Sequence, residues 1–423
     1  MGPEGMNERL RFLANRIRER LWFRPAVICI IVIAAISLAR VADSWGTGEF
    51  VPDISFETLE KLLTVISGSM LVIATFAVSS MVNAYASASN TATPRSFPLV
   101  VADDVSQNSL SAFIGAFIFS IISLIAVENS YFARGGRFTL FVLTLLVFSI
   151  VILTFVRWVD RIARLGRLGT AIRKVEDVTA DSIRRRRRHP HMGGIAVTPR
   201  PDETVSVNGQ KIGYVQRIDI SVLQNYARDL SATIEVGALP GAFVYPGRSL
   251  AFIKREDEEL MEVDREAISA AFVIGSERTF DDDPRFGLVA LSEIASRALS
   301  PAVNDPGTAI DVIGSFVRLF ALWAKEPEED ENEEPTYDRV EVPELSSDDM
   351  FDDAFNAVGR DGAGHLEVVL QIQKALESFA ASYEGEIKEA AIRHSRLVLT
   401  RAEKALTVKE DLQRARESAS FSE

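Results

Sequence analysis

Four apolar stretches, each long enough to cross a bilayer and free of charge except near the ends of the first, fall within the first 160 residues: 21–41, 62–82, 110–127 and 138–156. A hydrocarbon core of ~30 Å takes roughly 20 helical residues at ~1.5 Å each. A globular core can hide one such helix, but hardly four in succession, since a soluble helix keeps a polar outer stripe. The sequence therefore predicts an α-helical membrane domain of four transmembrane helices. Arg24 and Arg40 sit near the ends of the first stretch, where long side chains reach the headgroups. The basic flank before it is too long for a signal peptide and no small-residue cleavage site follows, so it reads as a retained helix.

Charge divides the chain in the same place. Residues 1–200 hold 23 Lys and Arg against 15 Asp and Glu, whereas residues 201–423 hold 23 against 44. A basic apolar half followed by an acidic polar half predicts a membrane domain joined to a soluble one. So acidic a soluble half argues against nucleic acid as a partner. One cysteine, Cys29, excludes a disulfide framework, and four histidines leave little for a zinc site. Orientation follows from the basic flanks. Arg9, Arg11, Arg16, Arg18, Arg20 and Arg24 precede the first span, and Arg157, Arg161, Arg164 and Arg167 follow the fourth. The loop between spans one and two is acidic. The expected arrangement is a multi-pass protein of the bacterial inner (plasma) membrane with both termini in the cytoplasm.

No ionisable residue sits mid-span, which argues against a proton-driven transporter. Polar residues recur every four positions along the second span instead: Thr75, Ser79, Asn83 and Ser87, with Thr91 beyond. Ala112, Ala116 and Ser120 repeat that spacing in the third. Such stripes line uncharged pores or oligomer axes. They equally form close helix seams in which hydroxyls bond back to their own helix.

Beyond the fourth span, residues 161–202 read as an amphipathic helix and a basic linker. The run Arg184, Arg185, Arg186, Arg187 and Arg188 is a candidate for anionic headgroups, at about 1 kcal/mol per basic residue near a charged leaflet. Residues 203–255 read as a small β-barrel-like unit. Asn208-Gly209 between two β-rich runs signals a hairpin, and Pro240–Leu250 has the turn spacing of biotinyl-type domains without their carrier lysine. Residues 256–325 read as helices, with Asp283-Pro284 and Asp305-Pro306 each placing a capping acid before a proline at the first helical position. Residues 326–350 read as an acidic, solvated linker and 351–423 as a helical hairpin with a fraying tail. The soluble half is thus expected to be an α+β domain.

Several runs together resemble one family. They are Phe76-Ala77-Val78-Ser79-Ser80-Met81-Val82-Asn83-Ala84-Tyr85, Phe113-Ile114-Gly115-Ala116-Phe117, Asp283-Pro284-Arg285-Phe286-Gly287 and Ala298-Leu299-Ser300-Pro301-Ala302 with Asn304-Asp305-Pro306. The family is domain-of-unknown-function family 2254, predicted bacterial integral membrane proteins. The likeness runs from the first span to about residue 325. It implies membrane location and fold, and it supplies no catalytic residues.

Two functional readings stand at this point. One is an oligomeric, channel-like pore, a homo-oligomer whose cytoplasmic domain assembles or gates it. The other is a non-transporting scaffold or sensor that binds a partner protein and anionic membrane lipid. An enzyme is not expected, because no phosphate-binding loop, nucleophile elbow or zinc helix is present in the sequence. No cofactor or metal is expected either. Asp281, Asp282 and Asp283 could hold a cation, but caps and turns account for the same residues.

Overall fold

A computed structural model describes residues 51–91, 93–101, 104–162, 168–201, 204–255, 264–325 and 335–422, with part of 26–37. The chain divides into two compact units. One comprises Met1–Thr91 with Phe97–Thr170, and the other Ala92–Ser96 with Ala171–Glu423.

The first unit is built on α1 (Phe56–Thr91), the short α2 (Phe97–Val101), α3 (Asp104–Glu128) and α4 (Arg134–Ile162). Three stretches of these helices are long and apolar enough to cross a membrane: Phe56–Ala86, Val105–Glu128 and Arg134–Ile162. The first expected span, 21–41, lies largely outside the described residues. Within it, residues 30–34 are helical, and Val32 and Ile36 pack with Leu59, Leu63, Phe119 and Leu140. A second cluster joins Met70, Ala74 and Ala77 of α1 to Phe113 and Ala116 of α3 and to Val151 and Trp158 of α4. Trp158 is its hub, with the rings of Phe76, Phe113 and Phe155 all about 6 Å from the indole. An Arg137–Asp53 ion pair of 2.7 Å ties the start of α4 to the segment before α1.

The second unit joins a β part to a helical part. Its elements are α5 (Leu168–Arg188, from Ala171 on), β1 (Val205–Asn208), β2 (Gly213–Ile218), α6 (Ile220–Asp229), β3 (Ala232–Val236), β4 (Phe243–Val244), β5 (Ser249–Arg255), α7 (Arg265–Ala270) and β6 (Phe272–Gly275). There follow α8 (Pro284–Ala298), α9 (Pro306–Trp323), β7 (Val340–Glu341), α10 (Ser347–Asp361), α11 (Leu366–Ser382), α12 (Glu386–Ala405) and α13 (Lys409–Ser418). Two small sheets, ordered β1-β5-β3-β7 and β4-β2-β6, enclose one core of Val207, Val215, Leu223, Ile234, Ile253 and Phe272.

The expected hairpin at Asn208-Gly209 does not form. β1 pairs antiparallel with β5, while β2 pairs with β4 and β6, so the turn carries the chain from one sheet to the other. The alternating pattern identified both strands but not their partners, because Val207 and Val215 face the same core from different sheets. Nor is 203–255 closed on itself: β6 and β7 come from residues 272–275 and 340–341.

Two further expectations for the second half are corrected. Of the supposed linker, 326–334 lies outside the described residues, but the rest is structured. β7 adds to β3 in parallel, and Ser346 caps α10 by accepting from the Asp349 amide. Of the C-terminal hairpin, α11 and α12 do pack together, with the buried Gln373 Nε2 donating to Ser395 O. They form a bundle with α8, α9 and α10 around Phe316, Phe320, Phe351, Phe355 and Phe379. The second arm breaks after Ala405 and resumes as α13 at Lys409. The tail does not fray: Ser422 is buried and bonds to Ser395, and Arg396 Nε donates to its carbonyl.

Both proline-led starts form as expected. Asp283 accepts from the Phe286 amide and Asp305 from the Thr308 amide, with proline in the first turn of α8 and α9. Helix α8 lies so close to α5 that a Cβ at Gly287 would overlap the Thr179 side chain.

Candidate functional site: the outward face of the long membrane helix

Helix α1 has 36 residues and so spans ~54 Å, well beyond a ~30 Å hydrocarbon core. Counted from Lys61, the core ends near Met81. Thr75 and Ser79 then fall within the membrane, Asn83 at its boundary, and Ser87 and Thr91 beyond it. The helix does continue through the polar 83–91 segment.

Its buried apolar residues are Leu59, Leu63, Ile66, Met70, Ala74, Ala77 and Met81, at intervals of three and four, with Ser67 buried beside Ile66. At ~100° per residue they share one direction, toward α3 and α4. Thr75 and Ser79 lie roughly opposite, and Asn83 turns slightly further round. All three are exposed. For Ser87 only the helical backbone is described. The stripe therefore faces away from the bundle that α1 forms with α3 and α4 among the described residues. Thr64 and Gly68 share this face and are exposed too, and a Cβ at Gly68 would meet nothing within 4 Å. Neither belonged to the four-residue repeat. Stepping back from Thr75 by seven and eleven would have found them.

Most buried hydroxyls inside the bundle are engaged, although Ser123 Oγ is buried with no hydrogen-bond partner among the described residues. Ser109, Ser111, Ser120 and Thr144 are buried, and each donates to the carbonyl four residues earlier at 2.7–2.8 Å. Ser120 thus takes the packing role of the two readings its spacing allowed. On the outer face Thr75 does the same with Leu71 O at 2.9 Å. A back-bonded hydroxyl keeps acceptor capacity, so the outer face still presents oxygen atoms.

The arginine run ends α5, and its environment differs from the expected open surface. Arg186 is 6% exposed and its Nη2 donates to Pro343 O at 3.0 Å. Burial lowers its pKa to about 10 against the pull of Asp282, Glu344 and Asp283. Arg185 donates to Asp281 O, Arg187 to Lys325 O at 2.5 Å, and Arg184 pairs with Asp181 at 2.6 Å. Arg185, Arg186 and Arg187 thus clamp other segments of the second unit to α5, while the Arg184 pair lies within the helix. For Arg186 this is a correction, because a buried guanidinium cannot hold a headgroup. The sequence could not distinguish a clamp from a patch, since charge density alone does not reveal carbonyl partners.

The acidic triplet is also structural in large part. Asp283 is 3% exposed and accepts from Arg278 Nε at 2.7 Å and Nη2 at 2.9 Å. Asp282 has its pKa raised by burial and by Asp281, against nearby Arg217, Arg185 and Arg186. Among the described residues no group of three or more His, Cys, Asp or Glu could hold a metal.

One buried charge network was not anticipated. Lys254 on β5 contacts Glu235 on β3 at 2.9 Å and Glu341 on β7 at 2.5 Å, and donates to Thr198 O at 2.6 Å. Arg200 forks onto Glu235 with its guanidinium 3.6 Å above the Phe252 ring. Burial raises the Glu235 pKa, but the bonds from Arg200 and Lys254 outweigh it and leave the carboxyl below its usual range. Every partner here lies at least 19 residues from its mate in sequence, the separation of Lys254 from Glu235, so no local pattern signals the network.

A family model described as "Predicted membrane protein (DUF2254)" matches residues 18–378. Uncharacterized proteins of Mycobacterium tuberculosis and of Mycobacterium bovis are each 30% identical over 128 residues, which is 29% of this chain and 24% of the relative. The chain thus matches about a quarter of the length of those relatives. No solved structure matches it. The family match takes in the three spanning helices, the β part and the helical part as far as α11, further than the resembling runs reach. The chain belongs to the DUF2254 family of predicted membrane proteins.

Proposed function

We propose that this membrane protein is an oligomeric, channel-like pore of the bacterial inner membrane, in which the outward face of α1 lines or braces the axis between copies. One observation carries the reading: Thr75, Ser79 and Asn83 are exposed on the side of α1 opposite its buried stripe. Polar groups turned toward lipid are costly, and small polar faces bring helices of different copies together. The back-bonded hydroxyls of Ser109, Ser111, Ser120 and Thr144 inside the bundle favour a path between copies over one through a single chain.

In this reading the pore is uncharged along its length, because 62–94 contains no ionisable residue. Selectivity then arises at the mouth. The acidic soluble unit would raise the local cation concentration there. The basic flanks favour a cytoplasmic position for that unit and for both termini. The unit assembles or gates the pore and carries no catalytic chemistry.

The test uses purified full-length protein. Light scattering corrected for detergent should give a ring-sized homo-oligomer, and reconstituted vesicles should conduct monovalent cations. Asn83→Leu should abolish the current while leaving the oligomer intact. A monomer, or an unchanged current in Asn83→Leu, overturns the proposal and turns attention to a scaffold that binds a cytoplasmic protein.

A further inference from the structure

One corner of the soluble unit departs from the rest in charge and in exposure. Residues 201–423 carry 44 acids, yet 204–218 and 236–255 carry none. The fold brings the tips of these two acid-free segments together. Gly213 pairs with Val244 and Tyr214 with Phe243, which places Ile212 beside Tyr245. Gly209 N donates to Arg248 O at 3.0 Å, Arg248 N to Tyr245 O at 3.0 Å, and Arg248 Nη1 to Phe243 O at 2.7 Å. Ser249 Oγ donates to Asn208 Oδ1 at 3.0 Å. Both turns are therefore held in place by each other.

This rigid corner displays apolar side chains outward. Ile212 is 70% exposed, Tyr245 51% and Phe243 45%, with the Phe243 ring against Tyr214 at 5.1 Å. Lys211, Pro246 and Arg248 flank them and are exposed. Ordering three large apolar side chains in water has no benefit to folding unless something covers them.

We propose that this corner docks on the anionic headgroup surface of the membrane that the chain's own helices cross. Aromatic and aliphatic side chains beside lysine and arginine are the chemistry of the headgroup layer. Charge favours this surface: an anionic leaflet repels the acidic faces of the unit and attracts a basic corner whose two segments carry no acid. Two basic residues bind a leaflet weakly when free in solution. The spanning helices keep this unit permanently beside a bilayer, so the contact is intramolecular in effect and weak affinity suffices. The arginine run of α5, engaged with carbonyls and acids of its own unit, is not needed for this contact. The proposal is independent of the pore: either can fail without the other.

The experiment places a fluorophore at the corner without removing any residue invoked. In a Cys29→Ala background, Gln210→Cys is labelled in full-length protein and reconstituted into nanodiscs. One set contains phosphatidylcholine alone and the other 30% phosphatidylglycerol, each with nitroxide-bearing lipid as quencher. Val303→Cys, at an exposed position elsewhere on the same unit, is the reference. Quenching at 210 should exceed that at 303 severalfold in anionic discs and fall in neutral ones. Lys211→Ala should weaken the contact about fivefold, the equivalent of ~1 kcal/mol for one basic group at a charged surface, with an unchanged circular dichroism spectrum. Equal quenching at 210 and 303 in anionic discs overturns the proposal. So does quenching at 210 that ignores phosphatidylglycerol.

Discussion

His394 is the sharpest place to test the energetics of the helical bundle. It is fully buried on α12, with the rings of Phe351 and Phe355 about 6 Å away. Its Nε2 lies 3.0 Å from Asp352 Oδ1, whereas Nδ1 is buried with no hydrogen-bond partner among the described residues. The neutral ring that donates from Nε2 leaves only a lone pair unmet. Protonation would bury an N–H and a charge with nowhere to go. Burial, helped by neighbouring Arg393, outweighs the attraction of Asp352 and Asp348 and lowers the pKa to about 4 from 6.5.

The folded pKa lies below the unfolded one, so the unfolded chain binds the proton more readily between pH ~6.5 and ~4. Stability is full above that window and falls with pH through it. For these two values the loss between pH 7 and pH 5 is about 1.8 kcal/mol, a roughly 20-fold rise in the opening constant. Asp305, Asp352 and Glu386 have pKa values below the usual carboxylate range, so their contributions are lost at lower pH. That separates them from the histidine if the measurement stops at pH 5. Amide hydrogen exchange of α12 in full-length protein, corrected for intrinsic rates, should show this 20-fold increase. In His394→Leu, which keeps volume and removes the titration, the increase should shrink to severalfold or less. An equal pH response in the two proteins would refute the reasoning, because the lost protection would then come from other groups.

The buried network of the β part predicts an order of effects. Lys254→Met should destabilise β3, β5 and β7 by about 3–5 kcal/mol, since it leaves buried carboxylates undercompensated. Arg200→Met should cost nearer ~1 kcal/mol because that guanidinium is half exposed; exchange protection of β5 reads both, and equal losses would contradict the assignment. The two proline-led helices should also differ. Asp305→Ala removes a cap worth about 1 kcal/mol. Asp283→Ala also strips the partly buried Arg278 of its carboxylate and should cost several times more in the thermal unfolding midpoint of the second unit.

What the sequence made legible follows the range of each interaction. The capped starts of α8 and α9 involve partners three residues apart, and Asp-Pro announces them. The spanning helices depend on composition alone, and three are found where apolar length placed them. The pairing of β1 with β5 across more than 40 residues has no local signal, so the turn signal of Asn208-Gly209 suggested the wrong neighbour. Glu341 reads as one more acid in an acidic stretch, yet it is 3% exposed and bonded to Lys254. A solvated charge and a buried, paired one are identical letters. The difference lies in a lysine 87 positions away.

The same limit shaped the expectations about surfaces. A run of five arginines looked like the lipid-facing element because like charges usually need water or an anionic surface. In the folded chain, carbonyl oxygens and nearby acids meet much of that need, which helix α5 satisfies by lying against loops 281–283 and 343–344. The corner at Lys211 and Arg248 has fewer charges and drew no attention. Its distinction is an absence of acids across two segments that only the strand register brings together. The polar stripe of α1 was visible as a repeat, but whether it faced inward or outward was not. That depended on where Leu63, Met70 and Ala77 found their partners. Once those residues turn inward, Thr75, Ser79 and Asn83 must turn outward, because a helix has only one opposite side. A polar outward face is the arrangement a single chain in lipid should avoid, and the proposed homo-oligomer would remove the conflict by covering it with a second copy.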